Sequence, residues 1–329
     1  MGAPRTSTRP ARRYALPPVA LVLLLFAASA RAEEANQWLA RVAKAARELS
    51  YVGTVVYQRG TRVESSRLVH LYDGGKETEK LVSLDGPARE VIRNMGEVRT
   101  YFPDAQVVRV EPRTFRNAFP SVSSEQQKSL AQFYDFRALE RERVGGHIAD
   151  VVAFEPRDGL RYGHRFWSDV DTGLLLKARM VNDRGEVVEQ FAFTDVQVNA
   201  KIEQAMVEPS WPKVPPEWRV KQLSAGDVEV HETGWGATRV PAGFGKIMEG
   251  YRKLQGRKNP VAHIVFSDGL VAISVFIEPF ATASVPLGMR PGEGGLNVYS
   301  VKQDDNVVTV MGEVPPATVR QIGNSVARR

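Results

Sequence analysis

Short runs of alternating apolar and polar residues, each cut by Gly, Pro or Asp, set the strongest limit on how this chain folds. Tyr51-Val52-Gly53-Thr54-Val55-Val56-Tyr57 is rich in β-branched and aromatic side chains. Arg67–Tyr72 runs into Asp73-Gly74-Gly75, and Lys80–Leu84 into Asp85-Gly86-Pro87. Glu90–Arg93, Val98–Phe102 and Gln106–Val110 continue the series. A period of two puts successive side chains on opposite faces of a strand, and turns at this spacing join neighbours directly. The expectation is an antiparallel meander. Residues 111–124, with Pro112, Pro120, Phe115 and Phe119, interrupt it, and Ser124 three before Gln127 opens a short helix to Phe133. Strands then resume at Leu139–Val144 and Ile148–Phe154, around Gly145-Gly146, followed by Arg161–Ser168, Leu174–Asn182 and Glu186–Val196. A sheet this long must curl, close or be covered. The stretch 35–49 carries Trp38, Leu39, Val42, Ala45, Ala46 and Leu49 at helical spacing, so one helix is available to fill its concave side.

Pro209, Pro212, Pro215 and Pro216 crowd into Glu208–Glu217. Prolines at that density read as a semi-rigid extended linker rather than a packed element. The organisation expected is therefore a β-rich domain at 33–207, a linker at 208–217 and a smaller α+β domain at 218–329. In the latter, Trp218–Leu223 and Val228–His231 are strand-like, Trp235–Phe244 reads as loop, and Lys246–Leu254 fits a strand or a short helix. Ala262–Phe266 and Leu270–Ile277 flank Ser267-Asp268-Gly269 as a hairpin, and Asn297–Val301 and Val307–Met311 flank Asp304-Asp305 as another. Pro279–Gly295 reads as a long loop, and Pro315-Pro316 opens a last helix with Val319, Ile322 and Val326 on one face.

The first 32 residues read as an address. Arg9, Arg12 and Arg13 precede an apolar stretch from Ala15 to Ala28, and Ala30-Arg31-Ala32 supplies a small-x-small cleavage pattern. This is a secretory signal peptide, with an apolar core too short and too proline-broken to serve as a span. Its removal takes five arginines from the 44 Lys+Arg, leaving 39 against 38 Asp+Glu. The apparent basicity vanishes with it, and with it the case for a nucleic-acid binder. The chain has no Cys, so an exported product must hold by packing alone, carries no lipidated cysteine and does no thiol or Cys-zinc chemistry.

Catalytic motifs are sought without success. HExxH, GxSxG, a P-loop and a strand–helix GxGxxG are missing. His70, His147, His164, His231 and His263 are scattered singly, without metal-ligand spacing. Asp169, Asp171 and Asp183 sit in turns, where the carboxylate caps backbone amides. Arg137, Arg141 and Arg143 alternate with Glu140 and Glu142 as a solvated face. The expectation is a non-enzymatic protein with no catalytic residue, no metal and no cofactor. What remains is surface: a curved sheet with an apolar face, a loop bearing Phe115 and Phe119 to gate it, and a basic loop of Lys253, Arg257 and Lys258 to meet a lipid phosphate. Two domains on a linker also leave a cleft of the kind that binds ligands.

A set of ordered motifs carries a more specific resemblance. Tyr51-x-Gly53-Thr54, Leu84-Asp85-Gly86-Pro87-x-x-Glu90-Val91, Tyr134-Asp135-Phe136, Arg157-Asp158-Gly159-x-Arg161-Tyr162, Phe166-Trp167-x-Asp169 and Glu189-Gln190-Phe191 resemble the RseB/MucB family. So do Pro241-x-Gly243-Phe244, Ser267-Asp268-Gly269-Leu270 and Gly312-Glu313-x-Pro315-Pro316. The resemblance implies an α+β fold: a large antiparallel half-open β-barrel around a helix, similar to the LolA/LolB lipoprotein carriers, plus a smaller C-terminal α+β domain. It implies a periplasmic negative regulator of a sigma-E/AlgU-type sigma factor. Such a regulator binds the periplasmic tail of a transmembrane anti-sigma factor (RseA or MucA type), shields it from site-1 proteolysis, and is released by lipopolysaccharide or a related lipid. It also allows for a homodimer. The alternatives are a periplasmic lipid or lipoprotein carrier and, further off, a hydrolase whose site leaves no motif.

Overall fold

The computed structural model describes the backbone of residues 18–112, 130, 132–222, 228–254 and 256–329, with side chains from residue 33 except at 228 and 229. Helix α1 (Pro18–Glu48) leads into two meanders. The first comprises β1 (Tyr51–Arg59), β2 (Arg62–Asp73), β3 (Lys76–Ser83), β4 (Glu90–Arg93), β5 (Glu97–Phe102) and β6 (Val107–Pro112). The second comprises β7 (Tyr134–Val144), β8 (His147–Pro156), β9 (Gly163–Asp169), β10 (Leu175–Val181) and β11 (Val187–Val198). The antiparallel pairing of β1 with β11, Tyr51 opposite Val198, joins them into one sheet. With β12 (Arg219–Gln222) it has twelve strands in the order β12-β6-β5-β4-β3-β2-β1-β11-β10-β9-β8-β7. The strands expected from period two are all present, because hairpin turns and alternation specify the pairing of sequence neighbours locally.

The sheet stays open. Among the described residues its edges are β12 and β7, which do not pair with each other, so the sheet is not closed into a barrel. On the β7 edge the alternating Arg and Glu side chains are exposed, with Arg137 3.0 Å from Glu155 and Arg141 2.9 Å from Asp150. Charges along an edge discourage pairing with another chain.

The helix lies where its apolar stripe predicts. Leu39 and Val42 are buried with Val152, Phe154, Phe166 and Leu175, and Trp38 packs against the same cluster. The Trp38 indole donates to Ser168 Oγ at 3.0 Å and stacks on Phe166 at 5.7 Å between centroids.

The proline-rich stretch behaves differently from the expectation of an unpacked linker. Trp211 stacks on buried Tyr101 at 5.9 Å, and Trp211, Val214 and Trp218 cover Ile92, Val108 and Val110. Lys80 Nζ donates to the Glu208 carbonyl at 2.7 Å, and the Ser210 amide donates to Glu90 at 2.8 Å. Two indoles bury too much apolar surface to be left in water. The strand expected at 218–223 forms as β12, but it pairs in parallel with β6 of the first sheet.

The second sheet begins after residue 227. Its strands are β13 (Val228–Glu229), β15 (Gly245–Arg252), β16 (Val261–Ser267), β17 (Ala272–Pro279), β18 (Gly288–Pro291), β19 (Asn297–Gln303) and β20 (Asn306–Gly312), in the order β13-β15-β16-β17-β20-β19-β18. A separate pair joins β14 (Trp235–Ala237) to β21 (Val326–Arg328) across α2 (Pro316–Gly323). Val319 and Ile322 of α2 are buried on Ile264, Ile273, Val308 and Val310. The ambiguous stretch 246–254 is strand as far as Arg252. β14 and β18 fall inside stretches expected to be loop; each is short, and β18 carries Pro291 at the sheet edge, the place where proline is tolerated. No helix among the described residues is long and apolar enough to cross a membrane.

Two histidines are sealed into these cores. His164 stacks on Phe166 (5.8 Å, 15°), and its Nε2 has no hydrogen-bond partner. His263 stacks on Phe276 (4.2 Å, 6°) with neither ring nitrogen partnered. Burial lowers both to about 4, with Arg252 adding to the effect on His263. Both are therefore neutral in the fold, whereas the unfolded chain protonates them below about 6.5. Stability is full above that pH and falls as pH drops toward 4, by up to about 3 kcal/mol per histidine. Urea denaturation at pH 7 and pH 4.5 should show this loss, and His263→Phe should reduce it.

Candidate functional site

The motifs of the loops converge where the two sheets meet. At the centre is Arg161, in the turn between β8 and β9, with a side chain that is 0% exposed. Its Nε donates to Asp268 Oδ2 at 3.2 Å. Its Nη1 donates to Asp158, and its Nη2 to the carbonyl of Ala242. The guanidinium carbon also lies over two rings, 4.7 Å from the centroid of Phe133 and 4.9 Å from that of Phe244. Asp158 and Phe133 belong to the first sheet's loops; Asp268, Ala242 and Phe244 belong to the second's.

Asp268 is as enclosed as its partner, with a side chain 2% exposed. Its Oδ1 accepts the amides of Leu270 and Val271 at 3.0 and 3.1 Å, which builds the β16–β17 turn. Its Oδ2 accepts Arg161 and the Tyr134 hydroxyl, the latter at 2.9 Å. Burial, reinforced by the Asp268 charge, holds the Tyr134 hydroxyl well above its ordinary value, so it stays a donor. Gly243 makes the approach possible. It sits at φ 89°, and a Cβ there would fall 2.4 Å from the Phe133 ring. Only glycine satisfies both conditions.

Supporting contacts surround this centre. Arg157 binds Asp135 at 2.8 Å, tying the turn to the start of β7. Thr318 of α2 donates to the Leu160 carbonyl at 2.7 Å. Asn297 of β19 donates to the Tyr162 hydroxyl at 3.2 Å. Leu270 packs into the cluster that holds α1 against the first sheet.

The site residues expected from the sequence lie elsewhere. Phe115 and Phe119 are outside the described residues. Lys253 and Lys258 are exposed in the connection after β15. Arg257 between them is engaged: Nε and Nη2 bind Glu278 at 2.6 and 3.2 Å, and Nη1 donates to Ser284 Oγ at 2.8 Å. The hydrogen bond to Glu278 raises the Arg257 pKa further. Asp169 caps its turn as expected, its Oδ1 accepting the Thr172 amide at 2.8 Å and its Oδ2 facing His147 at 3.0 Å. Among the described residues no three His, Asp or Glu side chains gather as metal ligands. Sequence reading missed the Arg161 cluster as a site. The usable signal was an Arg-Tyr pair and a Gly-Phe pair in turns whose local geometry needs neither an arginine nor an aromatic ring.

Two family models match the chain: the MucB/RseB N-terminal domain over residues 34–211 and the MucB/RseB C-terminal domain over residues 229–327. This chain belongs to the MucB/RseB family. Among curated relatives, the sigma-E factor regulatory protein RseB of Salmonella typhimurium is 30% identical, with 93% of this chain and 95% of that protein aligned. The sigma factor AlgU regulatory protein MucB of Pseudomonas aeruginosa is 32% identical over 92% and 94%. Among solved structures, MucB in complex with MucA(peri) matches at a TM-score of 0.70 and 30% identity, covering 90% of this chain and 99% of that one. A crystal structure of MucB matches at a TM-score of 0.61 and 29% identity, covering 90% of this chain and 98% of that one. The motifs that carry the family resemblance thus include most of the side chains that clasp the two sheets.

Removing one member of a buried ion pair strands the other, at a cost of about 3–5 kcal/mol. Asp268→Leu and Arg161→Met should each cost that much. The double variant Arg161→Met/Asp268→Leu should recover a large part of it. Equilibrium denaturation of the four proteins measures the cycle; additive losses would mean the pair is not coupled.

Proposed function

We propose that this chain is a periplasmic regulatory binding protein that restrains a sigma-E/AlgU-type sigma factor by binding the periplasmic tail of its transmembrane anti-sigma factor. The observation that carries this reading is the alignment, along nearly the whole length, with proteins named as regulators of sigma-E and AlgU. The likeness to MucB in complex with MucA(peri) supports a tail of the MucA or RseA type as the partner. The clasp at Arg161 supports it physically, because it holds two sheets in one fixed relation and so lets a single extended peptide engage both.

In this reading residues 1–32 are the signal peptide and are removed after Ala32. The bound tail is shielded from site-1 proteolysis. The open twelve-stranded sheet acts as a half-barrel cup that takes up lipopolysaccharide or a related lipid; Phe115 and Phe119, outside the described residues, are the gate expected from the sequence. Lys253 and Lys258 meet lipid phosphate, while Arg257 secures their loop to Glu278. Lipid releases the tail only to the extent that it binds better to a tail-free conformation.

Calorimetric titration of residues 33–329 with the anti-sigma tail, alone and with lipopolysaccharide fragments, tests this. Micromolar or tighter binding that lipid weakens is the expected result. Lipid binding without tail binding would favour a carrier of lipid or lipoprotein instead. Charge reversal at Lys253 and Lys258 should weaken lipid binding and flatten its salt dependence; unchanged values would make that loop plain solvated surface.

A further inference from the structure

A second contact between the sheets is built on Arg59 of β1. Its Nη2 lies 3.1 Å from Glu313 Oε1, in the turn between β20 and α2, and 3.8 Å from Glu189 Oε1 on β11. The same nitrogen donates to the Tyr57 hydroxyl at 3.0 Å, and Tyr57 in turn donates to Glu189. The loop before β19 presses on this group: a Cβ at Gly294 would fall 2.7 Å from Arg59 Cγ and 2.9 Å from the Val188 carbonyl.

Charge and hydrogen bonds do not balance with both carboxyls ionised. One guanidinium then faces two carboxylates, at a half-buried position where like charges repel more strongly than in water. Glu189 Oε2 is buried without a donor, and so is Arg59 Nε without an acceptor. The Oε1 atoms of Glu313 and Glu189 lie 3.1 and 3.8 Å from the same Arg59 nitrogen, so the two carboxyls are neighbours on one guanidinium. Two carboxylates cannot hydrogen-bond directly; a carboxylic acid and a carboxylate can. A single shared proton removes the excess charge and gives Glu189 its donor.

We propose that Arg59, Glu189 and Glu313 form a proton-operated latch between the two sheets, closed while Glu189 and Glu313 share one proton and loosened when that proton leaves.

The charged groups that act on Glu313 are Arg59 from β1 and Glu189 from β11, and Tyr57 of β1 donates to Glu189. Beyond them, Arg62 is engaged by Glu64 at 2.5 Å, and Arg179 by the Gln190 side chain at 2.7 Å. Glu293, on the loop that presses on Arg59, points to solvent. No further cation among these offsets the second carboxylate. Burial first, and then the Glu189 charge, push Glu313 up to about 7 against the pull of Arg59. Opening the contact returns it to the ordinary carboxyl range. The closed form therefore holds more protons between about pH 4.5 and 7. Closure is favoured on the acid side, and that preference is lost as pH rises through about 7. One proton limits the change in the opening equilibrium to tenfold per pH unit. The direction is opposite to that of His164 and His263, whose neutral forms are favoured at higher pH. The latch rests on the geometry of the joint and not on what the protein binds.

The test is carboxyl NMR of the intact chain with labelled Glu, together with amide hydrogen exchange from pH 5 to 8.5 after correction for intrinsic exchange. Expected is one carboxyl titrating near neutrality, absent in Glu313→Gln. Protection at residues 293–297 and 312–314 should fall several-fold across pH 6–8 in the wild type and stay flat in Glu313→Gln. Glu189→Gln offers Glu313 a neutral donor and should move both midpoints to lower pH. The proposal is overturned if Glu313 titrates in the ordinary carboxyl range. It is overturned equally if wild type and Glu313→Gln share the same exchange profile.

Discussion

A guanidinium sealed from water is costly unless every donor finds a partner, and the joint of this protein is arranged around meeting that demand for Arg161. Two carboxylates, a backbone carbonyl and two aromatic faces converge on it, drawn from loops of both sheets. Each contact is directional. A purely apolar joint would tolerate sliding, whereas a planar fork fixed by Asp158, Asp268 and Ala242 admits one arrangement. Buried ion pairs contribute little net stability compared with apolar packing, so the structural return here is a defined relation between the sheets.

The two joint contacts differ in how they are satisfied. Asp268 has four donors: two amides, a phenol and a guanidinium. Glu189 and Glu313 have one guanidinium and one phenol between them, and their balance depends on solution conditions. One contact sets the geometry and the other makes its tightness adjustable.

The meanders were legible because strand pairing between sequence neighbours is written locally, as alternation and turn residues. The stripe of Leu39 and Val42 likewise announced a helix and its buried face. What was not legible depends on contacts made at a distance. Residues 208–217 read as an unpacked linker and Trp218 as the start of a strand of the second domain, until Trp211 and Trp218 are seen covering Ile92, Val108 and Val110. Nothing in residues 219–222 announces a parallel partner in β6. The clasp was visible as motifs but not as a site, since Arg161 and Asp268 stand 107 residues apart and each sits in a turn of its own. Short β14 and β18 escaped for another reason: three or four residues are too few to display a period.

The path of the proline segment has a consequence for how the joint behaves. The chain stays bound to the first sheet through Gln222 and enters the second sheet at Val228. The second sheet is therefore moored by a short tether fixed at one edge of the first, independently of the clasp at Arg161. Opening the clasp does not set the second sheet free; the tether keeps its loops at a high effective concentration near their partners. Reclosure is an intramolecular event, independent of protein concentration. A mooring of this kind permits a grip to be released and restored many times without the protein coming apart.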